Sequence, residues 1–213
     1  MALLQALEIS HSFDYPLFES LSFELGVGKS MAIVGVSGCG KSTLLHCCST
    51  LLKPKSGDVV FNGSSIYTKD YRHTLDIRRK DFGIIFQSHY LFKGFNAKEN
   101  IELSALLNQN SIDEDILRRL GVEHVMHQKV GELSGGQQQR ISIARVLAKK
   151  PRIIFADEPT GNLDKDTARE VMDVLFEYVK MNDAALMLVT HDHALASYCD
   201  ETYALKNLGL HKL

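Results

Sequence analysis

One stretch limits the fold more than any other. Gly35-Val36-Ser37-Gly38-Cys39-Gly40-Lys41-Ser42 matches G-x-x-x-x-G-K-[ST], after the apolar run AIV and before the helical pattern STLLHCC. Strand, glycine loop and helix in that order leave backbone N–H groups free to cradle phosphate oxygens at the positive end of the helix. Gly35, Ser37, Gly38, Cys39 and Gly40 would form the cradle and Thr43 would close it. Lys41 would reach the β and γ phosphates of a nucleotide, and the Ser42 hydroxyl would ligate Mg²⁺. Such a loop belongs to an α/β sheet whose strand C-termini converge on one crevice.

The remaining pattern supplies that sheet. Short apolar, β-branched runs recur at DVVFNG, FGIIFQ, RIIFADE, LMLVTHD and TYALKN, several separated by helical patterns. LLQALEI and SLSFEL have no helix between them and read as antiparallel strands, and YALKNLGLHKL reads as a hairpin turning at Asn207 to Gly209. From 88 to 150 the pattern turns helical. NAKENIELSALL and SIDEDILRRLGV are amphipathic, the second with a capping box Ser111-x-x-Glu114 and a stop at Gly121. DTAREVMDVLFEYVKM places Ala168, Val171, Met172, Leu175 and Val179 on one stripe, as a core-facing helix does. The expected organisation is a single α/β domain, 1–213: a core of residues 1–87 and 151–213 with a mostly parallel sheet, an N-terminal antiparallel β part, and an inserted helical subdomain at 88–150.

Composition narrows the partners. A formal net charge of −2, from 24 basic and 26 acidic residues, gives no overall basic footprint for a nucleic-acid backbone. The cluster Arg78-Arg79-Lys80 reads as a solvated face, with no nucleic-acid or lipid role. Cys39, Cys47, Cys48 and Cys199 follow neither a zinc nor a disulfide spacing, so reduced thiols in a cytosolic compartment are expected. MALLQALEIS does not resemble a signal peptide, and apolar runs such as AALMLV fall far short of the roughly 20 residues that span a bilayer. A membrane role would need a membrane-spanning partner.

Polar residues close the other strands. Ile153 to Glu158 is an apolar strand ending in two acids. Beside a phosphate loop, Asp157 would hold Mg²⁺ through water, while Glu158, pointing the other way, would polarise a water attacking the γ-phosphate; otherwise both acids merely open a loop. Gln87 closes FGIIFQ and His191 closes LMLVTH, which brings both to the crevice. In ELSGGQQQR, Ser134, Gly135, Gly136 and Gln137 open a helix with a hydroxyl, free N–H groups and the positive end of a dipole, so this site also wants an anion. The phosphate loop belongs to the core and this helix to the insertion. Its natural partner is the γ-phosphate on a second copy of the chain.

These motifs, in this order, resemble those of the nucleotide-binding subunits of ATP-binding cassette (ABC) transporters, and the similarity covers essentially the whole chain. The resemblance identifies GVSGCGKST as the P-loop of a P-loop NTPase core, Gln87 as the Q-loop, LSGGQ as the signature and IIFADE as Walker B. Gly161 to Asp164 becomes the D-loop, and His191 the switch histidine. It implies an ATPase that forms a head-to-tail homodimer around two MgATP, each between the P-loop of one chain and the signature of the other. Glu158, His191 and Gln87 would be catalytic, with His191 holding the γ-phosphate and attacking water. Ser42, Gln87 and Asp157 would hold the metal, and Asp164 would help the two sites communicate. Phe13 would stack on adenine, with Tyr15 as the near alternative.

FQSHYLFKGFNAKENI and ADEPTGNLD are similar to the LolD/MacB/FtsE branch, and F-Q-x-H-x-L…F-x-A-x-E-N particularly to its lipoprotein-releasing members. The implied place is the cytoplasmic face of the inner membrane, with membrane contact only through a transmembrane permease subunit. Tyr90, Leu91 and Phe92 could form a groove for that subunit, or could be the small core of the helical subdomain. FtsE-like signalling and MacB-like efflux are the alternative roles. A P-loop kinase would have no use for LSGGQ. Cys39 in place of the commoner serine, and the run Gln137 to Gln139 where many relatives carry an acid, remove no catalytic group.

Overall fold

Burial divides the strands into two kinds, and the two kinds form two sheets. In the computed structural model, which describes residues 2–67 and 70–213 (Leu107 by its backbone alone), β3 (Ser30–Val34), β7 (Ile153–Asp157) and β8 (Ala185–Val189) are buried at every residue. That is the mark of parallel strands covered on both faces. With β6 (Phe82–Ile85), β9 (Glu201–Lys206) and β10 (Gly209–Lys212) they form a sheet of order β10-β9-β3-β8-β7-β6, parallel except for the β9–β10 hairpin. Asn207 and Leu208 form the hairpin turn, both left-handed at φ 50° and 62°, and the strand resumes at Gly209.

β1 (Ala2–Ser12), β2 (Pro16–Gly26), β4 (Ser56–Phe61) and β5 (Ser64–Ser65) make a second, antiparallel sheet of order β2-β1-β4-β5. DVVFNG belongs here, not with the parallel strands its apolar run suggests. β4 fully buries only Val59 and Phe61, pairs antiparallel with β1, and turns back onto β5 as the Asp58 carboxylate accepts from Val59 N–H and the Ser65 hydroxyl.

The parallel sheet is covered differently on its two faces. In β7, Ile153 and Phe155 join a core shared with the antiparallel sheet and α1 (Lys41–Cys48). Ile154 and Ala156 join the core of α3 (Ala97–Leu107), α5 (Gly135–Ala148) and α6 (Lys165–Met181). Strand parity therefore delivers Asp157 to the α1 side. Edge-on rings of Phe61, Phe82 and Phe155, each 5.0 Å from the next, tie the two sheets together. The α6 stripe is as the periodicity requires, with Ala168, Val171, Met172, Leu175 and Val179 all buried.

The helix signals are more mixed. α2 (Tyr71–Lys80) buries only Thr74 and Ile77, too few for a visible stripe, and is capped by Asp70 accepting from His73 N–H. Its basic end is not simply a solvated face, because Arg78 is half-buried and donates to the Thr50 hydroxyl and carbonyl. α4 (Glu114–Arg119) does not use the expected Ser111/Glu114 box. Asp113 lies nearer the first turn and accepts from Asp115 and Ile116 N–H, leaving Ser111 outside the helix. Gly121, φ 62°, does stop it. A reciprocal box forms instead on α3, between Asn96 and Glu99. α7 (His193–Ala196) follows β8 and is capped by Asp192.

α5 lies so close to β6 that a Cβ at Gly83 would sit 2.6 Å from Val146 Cγ1 and 2.8 Å from Pro151 Cγ. Only glycine fits that contact. The segment after Gln87 is pinned by Asn100 of α3, fully buried, which accepts from Phe92 N–H and donates to the Phe92 and Asn96 carbonyls. Leu91 packs against the helical-side core, whereas Tyr90 and Phe92 stay 66% and 52% exposed. Asn100→Ala is expected to destabilise the chain by about 2 kcal/mol, because it takes the acceptor from the Phe92 N–H and empties a fully buried position, while the Phe92 and Asn96 carbonyls keep the N–H groups of Phe95 and Asn100; urea unfolding measures this, and an unchanged midpoint would mean the segment finds other partners. Among the described residues, no helix is long and apolar enough to cross a membrane.

Candidate active site

The phosphate loop joins β3 to α1 through Gly40, at φ 102°, where a Cβ would also sit 3.0 Å from Leu17 Cβ in β2. Any side chain there meets left-handed strain and a neighbouring strand. Gly40 provides no side-chain cap, so the first N–H groups of α1 are left for a ligand. Lys41 is 8% exposed, and its ammonium donates to the carbonyls of Gly35 (2.9 Å) and Val36 (3.0 Å). The cation is thus held over the loop, where incoming phosphate oxygens can replace those carbonyls. Phe13 and Tyr15, from the turn between β1 and β2, line the same cleft as Ser37, Gly38 and Lys41 to Thr43. Both rings are mostly exposed, and Phe13 rests edge-on against His11 at 5.0 Å.

Asp157 arrives from β7 on the α1 side and accepts a hydrogen bond from the Ser42 hydroxyl at 3.1 Å. Burial pushes its carboxyl above the usual carboxylate range, with the Ser42 bond opposing. A buried carboxylate beside a hydroxyl is a hard-oxygen set, and a cation there would relieve the desolvation. The pair fits Mg²⁺, which takes one or two carboxylates and completes its shell with water and phosphate. Among the described residues no three His, Cys, Asp or Glu side chains cluster as a transition-metal site would need. Gln87 does not close a strand: β6 ends at Ile85, and Gln87 is exposed in the bend beyond it.

Glu158 leaves the strand in a left-handed conformation, φ 47°. Strain of this kind costs about 1–3 kcal/mol and needs surrounding structure to hold it. Three groups do. The carboxylate accepts from the Thr190 hydroxyl (3.0 Å) and the His191 backbone N–H (2.9 Å), and lies 2.8 Å from His191 Nδ1. Asp192 N–H donates to the Thr190 oxygen at 3.0 Å, which turns the Thr190 proton toward Glu158. The Glu158 side chain is 15% exposed while the His191 ring is 75% exposed, so the acid is fixed and the histidine reaches outward. Thr190 is the residue the sequence reading passes over. Its signal is its place beside His191, at the end of a strand buried throughout.

The signature lies apart from this cleft. Ser134 caps α5, its hydroxyl accepting from Gln137 N–H (3.2 Å) while the Gln137 side chain accepts from Ser134 N–H (2.8 Å). Gln137 is thereby committed to the cap, and Ser134 and Gly135 are exposed. Leu163 of the D-loop packs on Gly136, where a Cβ would come within 3.2 Å of Leu163 Cδ2. Asp164 caps α6, accepting from the Thr167 N–H (3.0 Å) and hydroxyl (2.7 Å), and the backbone bond first among these holds its carboxyl below the usual range. The P-loop cleft is lined without any residue of the signature.

Residues 18–161 match the ABC transporter family. The lipoprotein-releasing system ATP-binding protein LolD of Rickettsia bellii is 42% identical over 200 residues, which are 91% of this chain and 88% of that protein. LolD of Psychrobacter arcticus is 39% identical, covering 97% of this chain and 96% of its own length. Among solved structures, a dimeric ATP-binding cassette in a post-hydrolysis state, bound to ADP and Pi, superposes with a TM-score of 0.89 at 28% identity, over 97% of this chain and 96% of that one. A second dimeric structure, of a bacterial ABC transporter cassette, gives a TM-score of 0.88 at 29% identity over the same shares.

Proposed function

The chain belongs to the ABC transporter family, whose cassettes are ATPases coupled to transport, and we propose that it hydrolyses ATP as one of two identical subunits driving a lipoprotein-releasing membrane complex. One observation carries this: a single chain brings together phosphate loop, metal pair and held carboxylate, yet leaves its signature outside that cleft. A second chain would supply the missing Ser134 and Gly135.

Each residue then has a definite task. Lys41 leaves the Gly35 and Val36 carbonyls for β and γ phosphate oxygens, and the open N–H groups of α1 hold the rest of the phosphates. Mg²⁺, held by Ser42 and Asp157 with Gln87, would neutralise charge on the phosphates. Glu158, oriented by Thr190 and His191, takes the proton of the attacking water. His191 supports Glu158 through its backbone N–H and Nδ1 and leaves its exposed ring edge for the γ-phosphate. Phe13 or Tyr15 stacks on the base.

Thr190→Val keeps the shape but removes one donor, and should lower kcat about tenfold with little change in KM for ATP, as the loss of one hydrogen bond to a charged group implies. Equal loss of ATP binding would make Thr190 merely structural. In the complex proposed, which the likeness to LolD supports, the motion passes to a separate permease. Tyr90 and Phe92 lie exposed near a groove lined by Gly83, Ile84, Leu103 and Val146, between β6, α3 and α5. Purification of the tagged chain from detergent-solubilised membranes should bring with it a permease that binds lipoproteins. Recovery of a cell-wall-signalling or drug-efflux permease instead would move the chain to the FtsE-like or MacB-like role.

A further inference from the structure

Two basic runs far apart in the sequence, Arg78-Arg79-Lys80 and Lys149-Lys150, meet in space. The last turns of α2, α3 and α5 end around one open cleft of about 420 Å³, lined by Arg79, Lys80, Lys149, Lys150 and the amides of Asn108 to Asn110. It shares no lining residue with the P-loop cleft.

Three helix C-termini direct partial negative charge here, so some cation is ordinary helix chemistry. Hydrogen bonds identify which cations that explains. Lys149 Nζ donates to the carbonyls of Arg78 and Phe82, and Arg78 turns away to Thr50. The Asn108 amide donates to the carbonyls of Lys80 (3.0 Å) and Lys149 (2.9 Å), and the Asn110 amide to that of Lys149 (3.0 Å). These end carbonyls are therefore already satisfied. Arg79, Lys80 and Lys150 are exposed at the rim and have no hydrogen-bonded or ion-paired side-chain partner among the described residues.

Two further features agree. Gln109 and Lys150 occupy left-handed helix-stop positions, φ 56° and 55°, where glycine is favoured, yet both carry long polar side chains over the cleft. Asp81, the C-cap of α2, offsets only part of the positive charge, standing in the field of Lys80, Lys149 and Arg152. Burial pushes the Lys149 ammonium down to about 8, a cost that a counter-ion would remove.

We propose that this cleft binds a phosphate-bearing anion, whether a lipid headgroup or a soluble phosphate compound, on Arg79, Lys80 and Lys150, above the carbonyl-bound Lys149. The site adjoins the apolar groove through Lys149, so a bound anion would lie beside the face offered to the permease.

The test uses the full chain and the double variant Arg79→Gln/Lys150→Gln, which alters two exposed side chains outside the ATP machinery. If the source is a headgroup, the chain sediments with phosphatidylcholine vesicles containing phosphatidylglycerol and not with phosphatidylcholine alone. The double variant then binds about thirtyfold more weakly, the loss expected for two cations near an anionic surface. If the source is soluble, inorganic phosphate saturably shifts the side-chain amide NMR signals of Asn108, Gln109 and Asn110, and less in the variant, while the chain stays off the vesicles. Phosphate at the P-loop does not confuse this readout, because those amides line a different cleft. Equal vesicle binding by both chains, or still amides together with no vesicle binding, overturns the proposal.

Discussion

Glu158→Gln is expected to slow ATP hydrolysis by about 10² to 10⁴-fold, the usual loss for a general base, while ATP still binds. The geometry makes the separation sharp. Lys41, Ser42 and Asp157, which would hold the phosphates and metal, make no hydrogen bond to Glu158, whereas Thr190 and His191 do. Glutamine has nearly the same size, and its carbonyl can still accept from the His191 N–H, so the fold and the φ 47° backbone should persist. What is lost is the ability to take a proton. Asp157 cannot replace it readily, being buried against Ser42 on the other side of the strand end. Single-turnover hydrolysis measures the effect; near-normal turnover with tight binding would assign the base elsewhere, with His191 the next group to test.

The second large effect concerns assembly. In a Glu158→Gln chain, which should hold ATP long enough for dimers to persist, adding Ser134→Arg should abolish the ATP-dependent dimer seen by sizing chromatography. Ser134 is exposed at the start of α5, and an arginine would fill the space that a second chain's γ-phosphate would enter. Loss of the cap itself costs only about 1 kcal/mol, too little to unfold the domain. Ser134→Ala is the control, since it loses the cap hydroxyl without adding bulk. ATP binding to the monomer should survive in both variants, because the P-loop cleft contains no signature residue. A dimer that forms with arginine at 134 would contradict the shared site.

Much of this site is legible in the linear chain because its parts are local. The P-loop is one contiguous segment whose glycines answer to backbone conformation at their own positions, as Gly40 at φ 102° shows. The acids at 157 and 158 follow a run whose apolarity announces a strand buried on both faces. The α6 stripe and the stop at Gly121 likewise depend on neighbours a turn away. Competition between near-equal local signals is where this fails: Asp113 displaces Ser111 as a cap, and α2 buries too little to show.

The linear chain by itself therefore determined the phosphate loop, the strand-end acids and the kind of sheet that carries them, since periodicity and backbone preference act over a few residues. Only the tertiary structure decided that β4 joins β1, that Thr190 and His191 clasp Glu158, and that Arg79, Lys80 and Lys150 gather round Lys149. Those contacts join residues distant along the chain. Their formation depends on which of many possible pairings buries the most apolar surface while leaving no polar group unmatched, a balance that exists only once the whole chain is packed.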